Sequence, residues 1–244
     1  MLSFIQPDWP AVSVKAFTTT RQGGVSQPPY DSLNLGDHVG DTALSVEKNR
    51  DRLKQQAQLP ESPRWLKQTH STTVINSGDW VSGAEADAII STTEKHVCSI
   101  LTADCLPILL CDRQGNAIAA IHAGWRGLAN GIIEQTLARF PAKAADMMAW
   151  FGPAIGANSF EVGDDVFAAF TRHSPQAETA FQQVDSMHYL ADLYLLATFR
   201  LQNLGVTAIY GGNFCTKTQQ DHFFSYRRDH DTGRMATIIW IEPR

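Results

Sequence analysis

The chain has 244 residues, of which 43% are hydrophobic and 18% charged, and a formal net charge of -5; this is the make-up of a folded globular protein and excludes a disordered or fibrous one. No Lys/Arg run is longer than Arg227-Arg228, so there is no basic footprint for nucleic acid, and no stretch of about 18 apolar residues could cross a membrane. The first residues, MLSFIQPDWPAVSV, carry neither a basic segment nor a continuous apolar one, so a cytoplasmic location is expected, with Cys98, Cys105, Cys111 and Cys215 as thiols rather than two disulfides.

Apolar alternation in SVKAFTTTR predicts a first strand running into RQGGVSQPPYDSLNLG, a loop whose glycines and prolines preclude regular structure. Leu44, Val46, Leu53 and Ala57 are spaced for an amphipathic helix from Thr42 to about Gln58, capped by Asp41 or Thr42 and ended by Pro60 and Pro63. The short apolar runs HVCSILTADCLPILLCD and AIAAIHAG suit buried strands, and WRGLANGIIEQTLARF reads as helical. A strand at MAWFG, helices from Asp164 to Arg172 and from Tyr189 to Asn203 closed by Gly205, and strands at TAIYGG and ATIIWI complete an α/β pattern. TRHSPQAETAFQQ is the one polar excursion; with no repeat or linker, residues 1–244 are expected to form one domain.

Candidate chemistry gathers where predicted strands meet loops. His70 in KQTHST, Cys105 in LTADCLPILL and His122 after AIAAI all occupy such junctions. Two imidazoles and a thiolate form a borderline-soft set that suits zinc and leaves a fourth position open, with copper as the chemical competitor. The separations of 35 and 17 residues match no compact metal motif. On residue type alone, Cys105 as a small buried hydrophobe and His122 as a satisfied core histidine are the favoured alternatives.

Gly124 and Gly127 precede a predicted helix, where free backbone N–H groups suit an anion or where glycine allows close packing. Gly124, Arg126 and Gly127, with Asn34 from the Gly-rich loop, are expected to contact substrate. Arg21 and the pair Arg227-Arg228 are candidate binders of phosphate or carboxylate, an ion pair with Asp229 being the structural alternative.

The motifs TTRQGGVSQPPYDSLNLG, QTHS, ADAIIS, LTADCLPILL, IHAGWRGL, GPAIG, FEVG and FFSYRRDHDTGR occur in this order from about Thr18 to Ile241. Together they closely resemble the YfiH-like, laccase-domain family of purine nucleoside phosphorylases. The resemblance implies that His70, Cys105 and His122 are the metal ligands, with zinc or copper bound. It implies mixed central sheets flanked by helices in an αββα-like, α+β arrangement, related to the catalytic domain of cytotoxic necrotizing factor. It also implies phosphorolysis of adenosine, inosine, guanosine and methylthioadenosine, together with deamination of adenosine. Within that chemistry Asp104 is expected to carry a proton, while Arg21, the Gly124–Gly127 loop and Arg227 hold phosphate.

Rival readings follow from the same residues. A polyphenol oxidase needs several coppers and repeated H-x-H pairs, whereas the eight histidines here include no H-x-H. A thiol hydrolase acting on cell-wall precursors would use Cys105 as nucleophile and His122 as base. A metal-buffering protein would leave the Gly-rich loop and the arginines without a role.

Overall fold

The computed structural model describes residues 2–11, 13–172 and 174–243. Its strands and helices follow in chain order as β1 (Phe4–Ile5), β2 (Val14–Thr19), α1 (Ala43–Gln56), β3 (Val74–Asn76), β4 (Ala88–Ser91), β5 (Cys98–Thr102), β6 (Leu106–Asp112) and β7 (Ile118–Ala123). Next come α2 (Trp125–Asn130), α3 (Ile132–Arg139), β8 (Met147–Phe151), β9 (Glu161–Gly163), α4 (Asp164–Thr171), β10 (Phe181–Gln183) and β11 (His188–Ala191). The chain closes with α5 (Leu193–Asn203), β12 (Ala208–Gly211), α6 (Tyr226–Asp229) and β13 (Met235–Ile241).

Two sheets carry the architecture. The larger has the order β12-β8-β6-β7-β4-β3, with antiparallel pairing in the middle and parallel pairs at both edges. The smaller has the order β1-β2-β13-β5 and is antiparallel throughout.

Strand alternation decides how they stack. Leu106, Ile108 and Leu110 of β6 and Ala119 and Ile121 of β7 face one way, onto Leu128, Ile132, Ile133, Leu196 and Leu201 of the helices. Leu109, Cys111, Ile118 and Ala120 face the other way, onto Ile100, Ile239 and Ile241 of the smaller sheet. The outer face of that sheet, through Phe17, Leu101, Ile238 and Trp240, covers Leu33, Leu35, Leu53 and Leu59 beneath α1. The layering is therefore helix, sheet, sheet, helix, as the family resemblance implied. A third sheet, β10-β11-β9, flanks α4. No helix among the described residues is long and apolar enough to cross a membrane.

Three expectations need correction. The helix expected from Tyr189 begins only at Leu193, because β11 pairs with β9 and β10 through His188–Ala191 and Asp192 then caps the helix by accepting from Leu195 N–H. The helix expected after Trp125 is two, divided at Gly131, whose φ of 97° lies in the left-handed region. The polar excursion contains a 3₁₀ turn at Pro175–Ala180 and then β10. Thr42 caps α1 by accepting from Ser45 N–H, as expected.

The Gly-rich loop has no regular structure, and a side chain from α1 supplies its hydrogen bonds instead. Fully buried Asn49 accepts from Val25 N–H at 2.8 Å and donates toward Ser26 Oγ and the carbonyls of Ser32 and Asn34. Asn49→Ala leaves several buried backbone groups without partners, at about 1–3 kcal/mol for each group stranded. We expect a loss of about 2–4 kcal/mol of stability, read by denaturant titration, and earlier proteolysis within residues 22–41.

Candidate metal centre and its cavity

His122 is the penultimate residue of β7, and antiparallel pairing with β4 sets it opposite Asp87; its N–H donates to the Asp87 carbonyl at 2.7 Å. The side chains meet as well. His122 Nδ1 lies 2.8 Å from Asp87 Oδ1, in a buried pair. That bond places the Nδ1 proton toward the carboxylate and leaves Nε2 as the lone-pair donor, as in histidines that ligate metals.

The same carboxylate builds the turn that carries His70. Asp87 accepts the backbone N–H groups of Thr69, His70 and Ser71 at 3.2, 3.0 and 2.7 Å, and the Ser71 hydroxyl at 2.7 Å. Held this way, His70 adopts a φ of 59°, in the left-handed region that a non-glycine residue rarely occupies. Gln68 ties the approach to this turn onto β5, exchanging two 2.8 Å bonds with the backbone of Leu101.

Cys105 stands between β5 and β6, one residue before Leu106, which pairs with Ala123. Opposite it is Gly124, where an added Cβ would come within 2.8 Å of the His70 ring and 3.0 Å of Cys105 Sγ. Glycine is required there because the side chains of His70 and Cys105 fill the space.

The nitrogen and sulfur donors of His70, Cys105 and His122 all lie within 4.8 Å of one another. Cys105 Sγ is 3.8 Å from His70 Nε2, close to the roughly 3.6 Å that separates sulfur and nitrogen ligands of a tetrahedral zinc. The donor set and its spacing fit such an ion, and three ligands leave one position for substrate.

Electrostatics support ligation by the thiolate. Burial alone would raise the Cys105 thiol, but the charge and hydrogen bond of His122, followed by those of His70, bring it down to about 6. Burial disfavours a charged His122, yet Cys105 and the bond to Asp87 raise it to about 9. Burial would also raise Asp87, but its bonds from His122 and Ser71 hold it at about 2. Cys98 and Cys111, pushed up to about 12 by burial between the two sheets, are inert by comparison. All four cysteines are free thiols.

The centre opens into a cavity of about 480 Å³. Trp125, Phe160 and Tyr226 contribute rings to its lining, and Arg126, Arg227 and Arg234 contribute charge.

Residues 15–242 match the family model described as multi-copper polyphenol oxidoreductase laccase. The chain belongs to this laccase family. A Haemophilus influenzae relative named purine nucleoside phosphorylase is 51% identical over 241 residues, covering 98% of this chain and 99% of its own. Purine nucleoside phosphorylase YfiH of Escherichia coli K12 is 49% identical over 243 residues, covering 99% of this chain and all of its own. Among solved structures, a Neisseria meningitidis protein superposes with a TM-score of 0.95 at 51% identity, over 98% of this chain and 99% of its own. YlmD from Geobacillus stearothermophilus gives 0.88 at 29% identity, over 96% and 94%.

Within this laccase-family chain, the other residues expected at the site divide. Arg126 and Arg227 line the cavity, Arg126 stacked 4.4 Å over Trp125 and Arg227 reaching the Glu161 carbonyl at 2.7 Å. Arg21 lies elsewhere, in a polar cleft with Gln22, Asp31 and Asp229; its guanidinium is committed to Asp31 and stacks over Phe224. Arg228 pairs with Asp229, the structural alternative.

Asn34 is fully buried and bonds Gly36, Asp41 and Arg234 N–H, so it fixes the loop and does not line the cavity. Gly127 packs against the Ser71 carbonyl, 3.1 Å from where its Cβ would be. Asp104 lines the cavity, but its carboxylate accepts from Thr216 Oγ1, Ser225 Oγ and Arg227 N–H. With both oxygens engaged, it anchors the segment 216–227 and is poorly placed to carry a proton.

Sequence reasoning misses Asp87, although it lies within the ADAIIS motif. The available signal was an acidic residue one position before a buried apolar strand, where a carboxylate needs partners. Replacing Asp87 with Asn keeps the size but removes the charge and adds a donor that opposes the three N–H groups. Zinc affinity measured by competition with a chromophoric chelator is expected to fall about 10–100-fold, as for other carboxylates behind a ligating histidine.

Proposed function

We propose that this protein is a cytoplasmic, metal-dependent purine nucleoside phosphorylase acting on adenosine, inosine, guanosine and methylthioadenosine, and that the same site deaminates adenosine. The observation that carries this reading is the meeting, in one cavity, of a braced His₂Cys donor set, three aromatic rings and three arginines. The names borne by relatives at about 50% identity support the same assignment.

His70, Cys105 and His122 are the proposed ligands. Zinc is the proposed ion, since it suits two imidazoles and a thiolate in a three-ligand site; copper competes for the same donors. Such an ion supplies a Lewis acid that stabilises developing negative charge. The rest falls to the protein. Trp125, Phe160 and Tyr226 offer ring faces and edges to a purine, whereas Phe223 and Phe224 belong to the core. Arg126 and Arg227 lie on the same lining and are suited to holding oxyanions beside the ribose.

Phosphorolysis breaks the C1′–N9 bond, its electron pair leaving with the purine, while a phosphate oxygen bonds to C1′. Holding the two reactants together is the main service such a pocket performs. Metal-quantified protein incubated with adenosine should release adenine and ribose 1-phosphate only when phosphate is present. His122→Ala should abolish that release. Inosine formed without phosphate would mark the deaminase activity, and no purine product in either buffer would refute the proposal.

A second reading is favoured by one observation. The lowered Cys105 thiol beside His122 resembles an activated nucleophile, as a thiol hydrolase of cell-wall precursors would need. Chelation and alkylation separate the two readings. Burial opposes but bonds from Ser159 and Thr218 overcome it at Cys215, bringing that thiol down to about 7, so alkylation is best done on Cys215→Ser protein. A metal-dependent phosphorylase loses activity to the chelator and regains it with zinc; a thiol hydrolase survives chelation and is lost only to the alkylator. The polyphenol oxidation in the family's name calls for several coppers, and the described residues offer one three-donor cluster.

A further inference from the structure

Arg234 sits just before β13, and two features of the Gly-rich loop fix it there. Asn34 Oδ1 accepts its backbone N–H at 2.9 Å. Gly36 lies against its stem, where an added Cβ would come within 2.8 Å of Arg234 Cγ. The side chain is half-buried and lines the cavity of the metal centre.

Its guanidinium is only partly used. Nη1 donates to the carbonyls of Thr232 and Gly233 at 2.8 and 3.0 Å. Nε and Nη2 have no acceptor among the described residues, and Arg234 enters no ion pair among them. Of the other half-buried arginines, Arg21, Arg50, Arg64, Arg200 and Arg228 are each paired with a carboxylate, while Arg52 and Arg227 give Nη1 to the carbonyls of Gly23 and Glu161. The nearby Asp104 carboxylate is spent on Thr216, Ser225 and Arg227 N–H.

A half-desolvated cation with its Nε–Nη2 edge unoccupied is matched by an oxyanion that takes two parallel N–H bonds. We propose that Arg234 grips inorganic phosphate through this edge, at the metal end of the cavity, and is the residue that makes the reaction phosphate-dependent. The inference rests on the phosphorolysis reading for its choice of anion. Asn34 and Gly36 then act on phosphate at one remove, by holding Arg234 in place.

The test titrates inorganic phosphate calorimetrically into zinc-loaded wild type, Arg234→Gln and Arg234→Lys, and measures the KM for phosphate and for adenosine. The glutamine variant should bind phosphate at least tenfold more weakly and raise the phosphate KM to match. Its adenosine KM should stay within about twofold of wild type, with unchanged zinc content. Arg234→Lys keeps the charge without the fork and should fall between, which preserves the test if the glutamine variant folds poorly. Unchanged phosphate binding in both variants, equal rises in both KM values, or no phosphate binding by wild type at millimolar concentrations would overturn the assignment. Phosphate bound through Arg234 without any turnover of adenosine would refute the phosphorylase reading and leave the anion site standing.

Discussion

The buried carboxylate of Asp87 is the constraint on which the site depends. It reaches His122 across the β4–β7 pairing and three consecutive N–H groups of the His70 turn, so a single side chain sets the relative position of two histidines from different segments. A buried carboxylate is costly to desolvate, and only a full complement of donors makes it tolerable. Donors from Thr69, His70, Ser71 and His122 meet that requirement here. The register that brings Asp87 opposite His122 is in turn fixed by the apolar alternation of β4 and β7, because a slip of one residue would turn Ile89, Ile118 and Ala120 out of the core between the sheets. Packing between the layers thus dictates which nitrogen of His122 faces the centre.

The same device recurs around the cavity. Asn49 completes the Gly-rich loop, Asn34 holds Arg234, Gln68 mimics a strand partner for Leu101, and Asp104 collects the segment that bears Arg227. Each is a short polar side chain replacing the backbone ladder that irregular chain cannot make. Loops built this way can be as fixed as strands while keeping their backbone free for unusual geometry. That explains why Asn34, expected to touch substrate, and Asp104, expected to carry a proton, have their polar atoms turned to the protein.

Much of this was legible in the sequence because it rests on local signals. Alternation located β2 and short apolar runs located β5, β6 and β7; Asp41 or Thr42 marked the start of α1; the eight motifs identified the family and, through it, the layering. What was not legible depends on contacts between distant segments. β11 was hidden inside a helical spacing because its pairing with β9 and β10 outweighs local preference. Arg21 and Arg234 look alike as single arginines beside glycines, and only the fold shows that one is neutralised by Asp31 while the other lines the cavity of His70, Cys105 and His122 and enters no ion pair among the described residues. Asp87 is 17 residues from His70 and 35 from His122, distances at which no sequence pattern signals a hydrogen bond.

The two strained residues of the site follow from this arrangement. His70, with φ of 59°, and Asp104, with φ of 87°, flank the donors, each in a conformation costing a non-glycine residue about 1–3 kcal/mol. Glycine at either position would relieve the backbone and forfeit the side chain. For His70 that side chain belongs to the His–Cys–His cluster; for Asp104 it is the anchor of Thr216, Ser225 and Arg227 N–H. Cys105 follows Asp104 in the turn between β5 and β6, its Sγ 3.8 Å from His70 Nε2. The bonds of the two aspartates offset the cost: Asp87 holds the turn of His70, and the three donors to Asp104 hold that residue in place. Removal of either aspartate therefore releases backbone strain and the arrangement of His70, Cys105 and His122 together, so the polar shell around these three side chains fixes their geometry.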